Sequence, residues 1–519
     1  MRLLNLPEPR SINGRKTRYL AVAAALRAAI RTGQLASGEY LPSSRELAAE
    51  FEVHRHTVQV ALDALVAEGW VMAEPRRGFR VCASVPEVRA PRRSAARSGF
   101  RGFRVVRTGV ELRSPASGTV AFPLHSATPD PLLVPRAELR RAYAHVLDRY
   151  RGELLDIGDE RGLPALRTAL GQYLRRARAV VPEDLVLTHG SQEAIALVGQ
   201  SLLGPGDAVA VEEPGYPPAW AAFRAAGATV VPVPVDAHGL SIDHLKEVLE
   251  RHPVRLVYVT PTHQYPTTVS LSGIRRDELL RVTLARGVPI LEDDYDHEYH
   301  YRGSPPAPLS ATGAPHVLYV STFSKLVAPT FRIGWVAGSR DIVEQLVQLR
   351  RVTTRANDAV TEAALADWMQ DGGFERHLRR ARRCYAERCE RAVESLEHAA
   401  REVPMVFEAP SGGLSIWVRF PGLDVMELAR RASDRGVVVA PEPLLGSKRD
   451  GNGVRLAFGR IAPERFRQAV GILASVAEEM RRAPVASGRV RVLGRGDTMT
   501  GPAKPPDSRS DARKKRRSP

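Results

Sequence analysis

With 519 residues, 44% of them hydrophobic and 26% charged, the chain has the composition of a soluble globular protein and the length of about three domains. No apolar run approaches the roughly 18 to 20 residues that cross a bilayer, and the opening MRLLNLPEPR lacks the apolar core of a signal peptide. Cys82, Cys384 and Cys389 have no zinc-ligand spacing and form no even set, which argues against a disulfide scaffold and for a reducing cytoplasm.

The net charge of +17 is segregated along the chain. Residues 1–82 carry 12 basic against 8 acidic residues, 83–121 carry 8 against 2, and 485–519 carry 10 against 3. Residues 122–484 hold 45 of each and are formally neutral. A neutral body with basic appendages suits a protein whose ends alone touch a polyanion. The tail DARKKRRSP, read by itself, is a solvated and disordered segment.

The first predicted element is a helix over 19–32, with Val22, Leu26 and Ile30 on one face and Gly33 as its stop. LPSSRELAAEF follows, where Ser43 and Glu46 have capping-box spacing and Leu47 and Phe51 share a face. After a turn at Glu52 and Val53, a third helix places Val58, Ala61, Leu62 and Leu65 in one stripe and ends at Gly69. Trp70 to Met72 and Phe79 to Cys82 are short strands about a turn of Arg76, Arg77 and Gly78. Three helices and a basic hairpin make a winged helix-turn-helix. Its third helix opens on His54, Arg55, His56 and Thr57, with Gln59 beyond, the end of a recognition helix that enters the major groove. Arg45, Arg76 and Arg77 are placed for phosphates or the minor groove. A basic amphipathic helix alone is more often a solvated face; the order of elements reverses that preference.

Residues 83–121 have no sustained periodicity and eight arginines, and read as a flexible linker. From 122 to 484, helical patterns such as 165–176 and 192–203 alternate with apolar strands at 207–211, 255–260, 288–292 and 317–321. That alternation predicts an α/β body on a largely parallel sheet. Residues 485–519 are polar and basic, with no expected structure.

In the body, STFSK at 321–325 precedes Arg332 by seven residues, so that Lys325 can supply a Schiff base and Arg332 a phosphate clamp. VPILEDDYD at 288–296 is an apolar strand ending in carboxylates, and period-two alternation puts Asp293 and Tyr295 on one face and Asp294 on the other. Asp293 is therefore the candidate for a pyridine nitrogen, where a carboxylate keeps the ring protonated. THGSQEAI at 188–195 is a strand-to-helix turn whose Gly190, Ser191 and Gln192 would bring N–H groups to a phosphate. Tyr216 would stack on the ring, Gln264 would approach its 3-hydroxyl, and Arg455 would fork onto a ligand carboxylate. Each of these alone is an ordinary loop tyrosine, amide or arginine; their combination carries the reading.

Residues 16–82 resemble the GntR family of DNA-binding domains, whose pattern is close to LPSxRxLAxxLxVxRxTVxxAxxxLxxEG. The resemblance departs at His54, usually Ser, and at the wing RRGFRV, usually Gly-x-Gly-Thr-Phe. Residues 122–480, including PDPLLVP and GDERGLPALRTAL, resemble the fold-type I aminotransferases, with a smaller C-terminal α/β subdomain. The fusion of the two resembles the MocR subgroup of regulators. That resemblance implies pyridoxal 5'-phosphate on Lys325, with Asp293 and Tyr295 at the ring and Thr322, Ser324 and Arg332 around the phosphate. It also implies a cytoplasmic homodimer, a double-stranded DNA operator, a small-molecule effector and no metal. Two further departures bear on the effector: Pro217 to Trp220 replaces an arginine-bearing segment after EPGY, and Thr268 stands where a glycine is usual. Both argue for sensing of the cofactor itself over an amino acid of the γ-aminobutyrate type. The rival expectation is a working aminotransferase that carries a DNA-binding module.

Overall fold

The structure, a computed structural model, describes residues 18–82, 120–446 other than 151 and 157, and 451–482. The chain forms two compact units, residues 1–105 and 106–519. The expected linker up to residue 119 and the expected tail 485–519 lie outside the described residues.

In the first unit, α1 (Arg18–Thr32), α2 (Ser44–Glu50) and α3 (Arg55–Ala67) precede a hairpin of β1 (Val71–Glu74) and β2 (Gly78–Val81). The capping box forms: the Ser43 hydroxyl accepts from the Glu46 N–H at 3.3 Å, and the Glu46 carboxylate accepts from the Ser43 N–H at 2.7 Å. The apolar stripes of all three helices converge, and Leu26, Leu47, Val58, Leu62 and Leu65 are fully buried in one core closed by Trp70 and Val81. Tyr40 bridges to Arg80 and adds a stub of third strand to the wing. The strands lie within two residues of their expected positions, and the turn sits at Arg76, where φ is 65°.

The second unit begins with β3 (Phe122–Pro123), and helices α4 (Arg136–Tyr150) and α5 (Pro164–Arg178) lead into an eight-stranded sheet. In chain order its strands are β4 (Asp184–Thr188), β5 (Ala208–Glu213), β6 (Thr229–Asp236), β7 (Gly239–Leu240), β8 (Val254–Val259), β9 (Ile290–Asp293), β10 (Val317–Thr322) and β11 (Gly334–Gly338). They lie in the order β4-β11-β10-β9-β8-β5-β6-β7. All pairings from β10 across to β6 are parallel; β11 runs against both β10 and β4, and β7 turns back on β6. Alternate residues face opposite cores. Leu185, Leu187, Tyr319, Trp335 and Ala337 pack on one side, while Val186, Leu318, Val320 and Val336 pack on the other. A sheet covered on both faces needs the near-continuous apolar runs seen in the sequence. Its crossovers include α6 (Ser191–Leu202) and α7 (Pro217–Ala225).

The smaller subdomain carries β12 (Val406–Phe407), β13 (Ser415–Arg419), β14 (Val437–Val438), β15 (Ala440–Pro441) and β16 (Gly453–Ala457). Four of these form an antiparallel sheet ordered β12-β13-β16-β15, while β14 pairs with β3. Helices Gly373–Ala399, Val425–Asp434 and Pro463–Arg482 share its core. The expected α/β class, with a winged helix, a largely parallel sheet and a C-terminal α/β subdomain, is the observed one. No helix among the described residues is long and apolar enough to cross a membrane.

Candidate cofactor site and nucleic-acid interface

Because β4, β5, β8, β9 and β10 share one direction, the residues after their C-terminal ends meet at one edge of the sheet. These ends deliver Gly190, Tyr216, Gln264, Asp293 and Lys325 from five separate stretches of chain.

Lys325 lies in the short helix Phe323–Leu326 directly after β10, and its Nζ donates to the Ala127 carbonyl at 2.9 Å. Burial, then the neighbouring Arg455, pushes the amine down to about 8, against the pull of Asp296 and Asp293. An amine so placed is half uncharged near pH 8, where an ordinary lysine is almost wholly protonated, and the uncharged form is the one that attacks a carbonyl.

Asp293 ends β9. Its Oδ2 accepts from the Tyr258 hydroxyl at 2.8 Å, while Oδ1 is buried with no hydrogen-bond partner. Burial pushes this carboxyl up to about 7, with Asp294 and Asp296 adding to the rise and the Tyr258 bond opposing it. An orphaned buried acceptor of this kind calls for a donor, and a protonated ring nitrogen supplies one with a charge. Asp294 takes the opposite direction: Arg178 Nη2 and the Tyr319 hydroxyl donate to its Oδ2 at 2.7 and 2.9 Å. Tyr295, expected on the same strand, lies beyond its end, in a bend before the turn that the Tyr299 N–H closes on the Asp296 carbonyl. The Tyr295 hydroxyl donates to the His263 carbonyl at 2.9 Å.

The anion cradle is built from α6 and the β10–β11 connection. Gly190, with φ of 83°, is the N-cap of α6 and provides no side-chain cap, leaving the first N–H groups of that helix available. A Cβ on Gly190 would stand 3.8 Å from Arg332 Nη1 and 4.0 Å from the Ser324 hydroxyl, so these groups surround one small space. Arg332 follows the turn Pro329–Phe331 with φ of 51°, and it makes no ion pair or hydrogen bond among the described residues. Beside it opens a cavity of about 610 Å³ that His189 and Asn357 also line. Ser191 is half-buried at the helix start, and Gln192 donates to the Pro218 carbonyl at 3.0 Å. The Thr322 hydroxyl donates to the Ile333 carbonyl and caps the Ser324 N–H, so it shapes the cradle instead of reaching into it.

Tyr216 and Tyr265 meet edge to face at 5.1 Å, and the Arg455 guanidinium lies 4.6 Å over the Tyr265 ring. Arg455 is 4% exposed, its Nε has no partner, and no carboxylate among the described residues pairs with it. Gln264 directs its amide inward: Nε2 donates to the Pro214 and Tyr265 carbonyls, and Oε1 accepts from the Thr267 N–H and hydroxyl. Thr268 closes this turn at φ of 65°, a conformation that glycine adopts without cost. Tyr258, Ala127, Tyr265 and Asp296 were not legible as site residues. Tyr265 lies in TPTHQYP beside Gln264, the residue read from that motif, and Asp296 closes VPILEDDYD.

In the winged helix, Arg45, His54, Arg55, His56, Arg76 and Arg77 are exposed, and Thr57 and Gln59 are half-buried. Arg55 Nε donates to the Ser44 hydroxyl at 3.0 Å and joins α3 to α2. His54 caps α3 by accepting the His56 N–H on Nδ1 at 3.4 Å, the task a serine performs in the family pattern. Gln59 donates to Asp63 at 3.0 Å, one turn along the helix.

The sheet, its C-terminal edge and the buried lysine define a pyridoxal-phosphate-dependent transferase fold, and the first unit defines a bacterial winged-helix DNA reader. Comparison with known proteins agrees. Residues 136–472 match the aminotransferase class I and II family, and residues 18–81 match the bacterial regulatory proteins of the gntR family. The probable rhizopine catabolism regulatory protein MocR of Rhizobium meliloti is 30% identical over 87% of this chain and 92% of its own length. The HTH-type transcriptional regulator TauR of Rhodobacter capsulatus is 30% identical over 86% of this chain and 93% of its own. Among solved structures, kynurenine aminotransferase of Pyrococcus horikoshii superposes with a TM-score of 0.66 at 29% identity, over 70% of this chain and 92% of that one. The chain therefore belongs to the MocR subgroup of GntR-family transcriptional regulators, in which an aminotransferase-like body is fused to the winged helix. Its cofactor is pyridoxal 5'-phosphate, which the orphaned Asp293 oxygen, the Arg332 cradle and the buried Lys325 amine fit.

Proposed function

We propose that the body is a sensor whose occupancy by pyridoxal phosphate, alone or with an amine or amino-acid ligand, changes the DNA affinity or DNA geometry of the winged helices of a cytoplasmic homodimer. The observation that carries this reading is the convergence of Lys325, Arg332 and Arg455 at one sheet edge, where neither arginine has an ion-pair partner among the described residues.

Bound there, pyridoxal phosphate supplies an aldehyde carbon and an electron-withdrawing ring. Lys325 provides the amine that binds the aldehyde, Asp293 holds the ring nitrogen, and Tyr216 and Tyr295 orient the ring. Gly190, Ser191, Ser324 and Arg332 hold the phosphate, with Thr322 fixing the turn and Gln192 and Gln264 bracing the loops. Arg455 would take a ligand carboxylate by its fork. In the winged helix, His54, Arg55, His56, Thr57 and Gln59 face the groove, and Arg45, Arg76 and Arg77 take phosphates. Coupling between the halves requires that a ligand bind one arrangement of the winged helices more tightly than another.

The test is to select bound duplexes from a random library with purified protein, then measure affinity and bending with and without pyridoxal phosphate. A change in either is expected, and Lys325→Ala should abolish both that change and the visible absorbance of the bound cofactor. Identical binding in all three samples would overturn the reading. A second reading, a working aminotransferase, draws support from the low-lying Lys325 amine and from the 2-aminoadipate transaminase of Thermus thermophilus, 30% identical over 66% of this chain. Rapid turnover of a 2-oxo acid acceptor by the purified protein would favour it.

A further inference from the structure

Next to the lysine lies a polar pair that the cofactor reading leaves without a task. His263 Nδ1 and Asp296 Oδ1 are 2.7 Å apart, with side-chain exposures of 0% and 6%. Nδ1 facing a carboxylate carries the ring proton. Nε2 is buried, has no partner, and lies against Gly412, where a Cβ would come within 2.4 Å of it. The pair is therefore joined through Nδ1 alone, with no other hydrogen-bond partner for the ring among the described residues. Gly413 packs against the other member of the pair, its Cβ position 3.0 Å from Asp296 Oδ2. His300 stacks on His263 at 5.8 Å and 11°, and burial holds it below the usual histidine range.

We propose that His263 and Asp296 act as a positioning dyad for Lys325, in which the imidazole orients the carboxylate toward the lysine amine. The inference rests on the cofactor reading only for its purpose; the geometry stands without it. The groups facing the lysine are Arg455 from β16, and Asp293 and Asp296 from β9 and the turn after it. Those facing Asp296 are His263, Lys325, Asp293 and the hydroxyls of Tyr295, Tyr299 and Tyr301. Asp293 is matched by Tyr258, and Arg455 opposes the lysine's charge, which leaves Asp296 as the carboxylate that the histidine can position.

The experiment uses the full chain free of cofactor and follows acetylation of Lys325 by limiting acetic anhydride across pH 6 to 10, read by peptide mass. Asp296→Asn should lower the pH midpoint of acetylation by about one unit, because the ammonium loses the carboxylate that favours it most. His263→Phe should lower it in the same direction, His263→Gln, which keeps a donor, should restore it, and the double variant Asp296→Asn with His263→Phe should shift no further than Asp296→Asn alone. An unchanged midpoint in Asp296→Asn overturns the dyad, as does a His263→Gln midpoint equal to that of Asp296→Asn. If His263→Phe does not fold, the other two variants decide. A protein that shows these shifts yet never gains visible absorbance with pyridoxal phosphate supports the dyad and sinks the cofactor reading.

Discussion

The two halves of the chain treat charge in opposite ways. Every buried residue described in the winged helix is apolar, and its described cations are exposed or half-exposed. The body, although formally neutral, buries Arg178, Glu212, Glu292, Asp293, Asp294, Asp296, Arg350, Glu362 and Arg455. A surface that reads a polyanion gains from mobile, hydrated cations whose effect fades with salt. A pocket that holds one small ligand gains from fixed charges in a medium where each acts more strongly. Buried charge is thus concentrated in the half proposed to hold a small molecule, and the exposed cations of the winged helix lie in the half proposed to meet DNA.

The contrast is most easily broken at Arg178. Its pair with Asp294 is 4% and 1% exposed, and Arg178→Ala would leave a carboxylate buried without its cation. The expected loss is about 3 to 5 kcal/mol of stability, read by urea unfolding of the body. A loss below about 1 kcal/mol would mean that buried charge here is no more costly than surface charge. The next effect concerns Lys325. Because its amine titrates at about 8, the rate of covalent pyridoxal phosphate uptake should rise on the order of fiftyfold from pH 6 to pH 8 and flatten above. Stopped-flow absorbance checks this, and a rate still climbing tenfold per unit at pH 9 would place the lysine in solvent. On the winged-helix side, Arg55→Ala should weaken specific DNA binding by about 1 to 3 kcal/mol and leave cofactor absorbance unchanged. Anisotropy at fixed salt gives the number, and undiminished affinity would remove α3 from the groove. Smallest is Arg27→Ala. Its fork onto Glu68, at 2.8 and 2.7 Å, ties α1 to the end of α3 across a half-exposed surface. About 0.5 kcal/mol of winged-helix stability should go with it, screened further by salt.

What could be read from the sequence followed the same division. The winged helix was legible almost residue by residue, because its caps, stripes and turn are local: Ser43 and Glu46 are three residues apart, and Val58 to Leu65 is two turns of one helix. In the body, Lys325 and Asp293 were legible because each closes an apolar strand, and β9 and β10 are neighbours in the sheet. Their partners were not. Ala127 is 198 residues from Lys325, Tyr258 is 35 from Asp293, and His263 is 33 from Asp296. No periodicity encodes such distances; the order of strands in the sheet does. Alternation also misplaced Tyr295 by extending β9 past Asp293, where the chain turns. Thr322, Gln192 and Gln264 were recognised as polar residues near the edge, but the hydrogen bonds that draw them into loops depend on backbone carbonyls that sequence does not show.

Gly334, the first residue of β11, lies so close to the anion cradle that a Cβ there would fall 2.6 Å from the Gly190 carbonyl carbon and 2.8 Å from the Ser191 nitrogen. The floor of the cradle is thus one peptide plane pressed on another, anchored by a strand hydrogen-bonded on both flanks. Such a floor has no rotamers to adjust. Even a single added methyl at position 334 must displace either the start of α6 or the strand itself, so phosphate recognition here inherits the stiffness of the whole sheet.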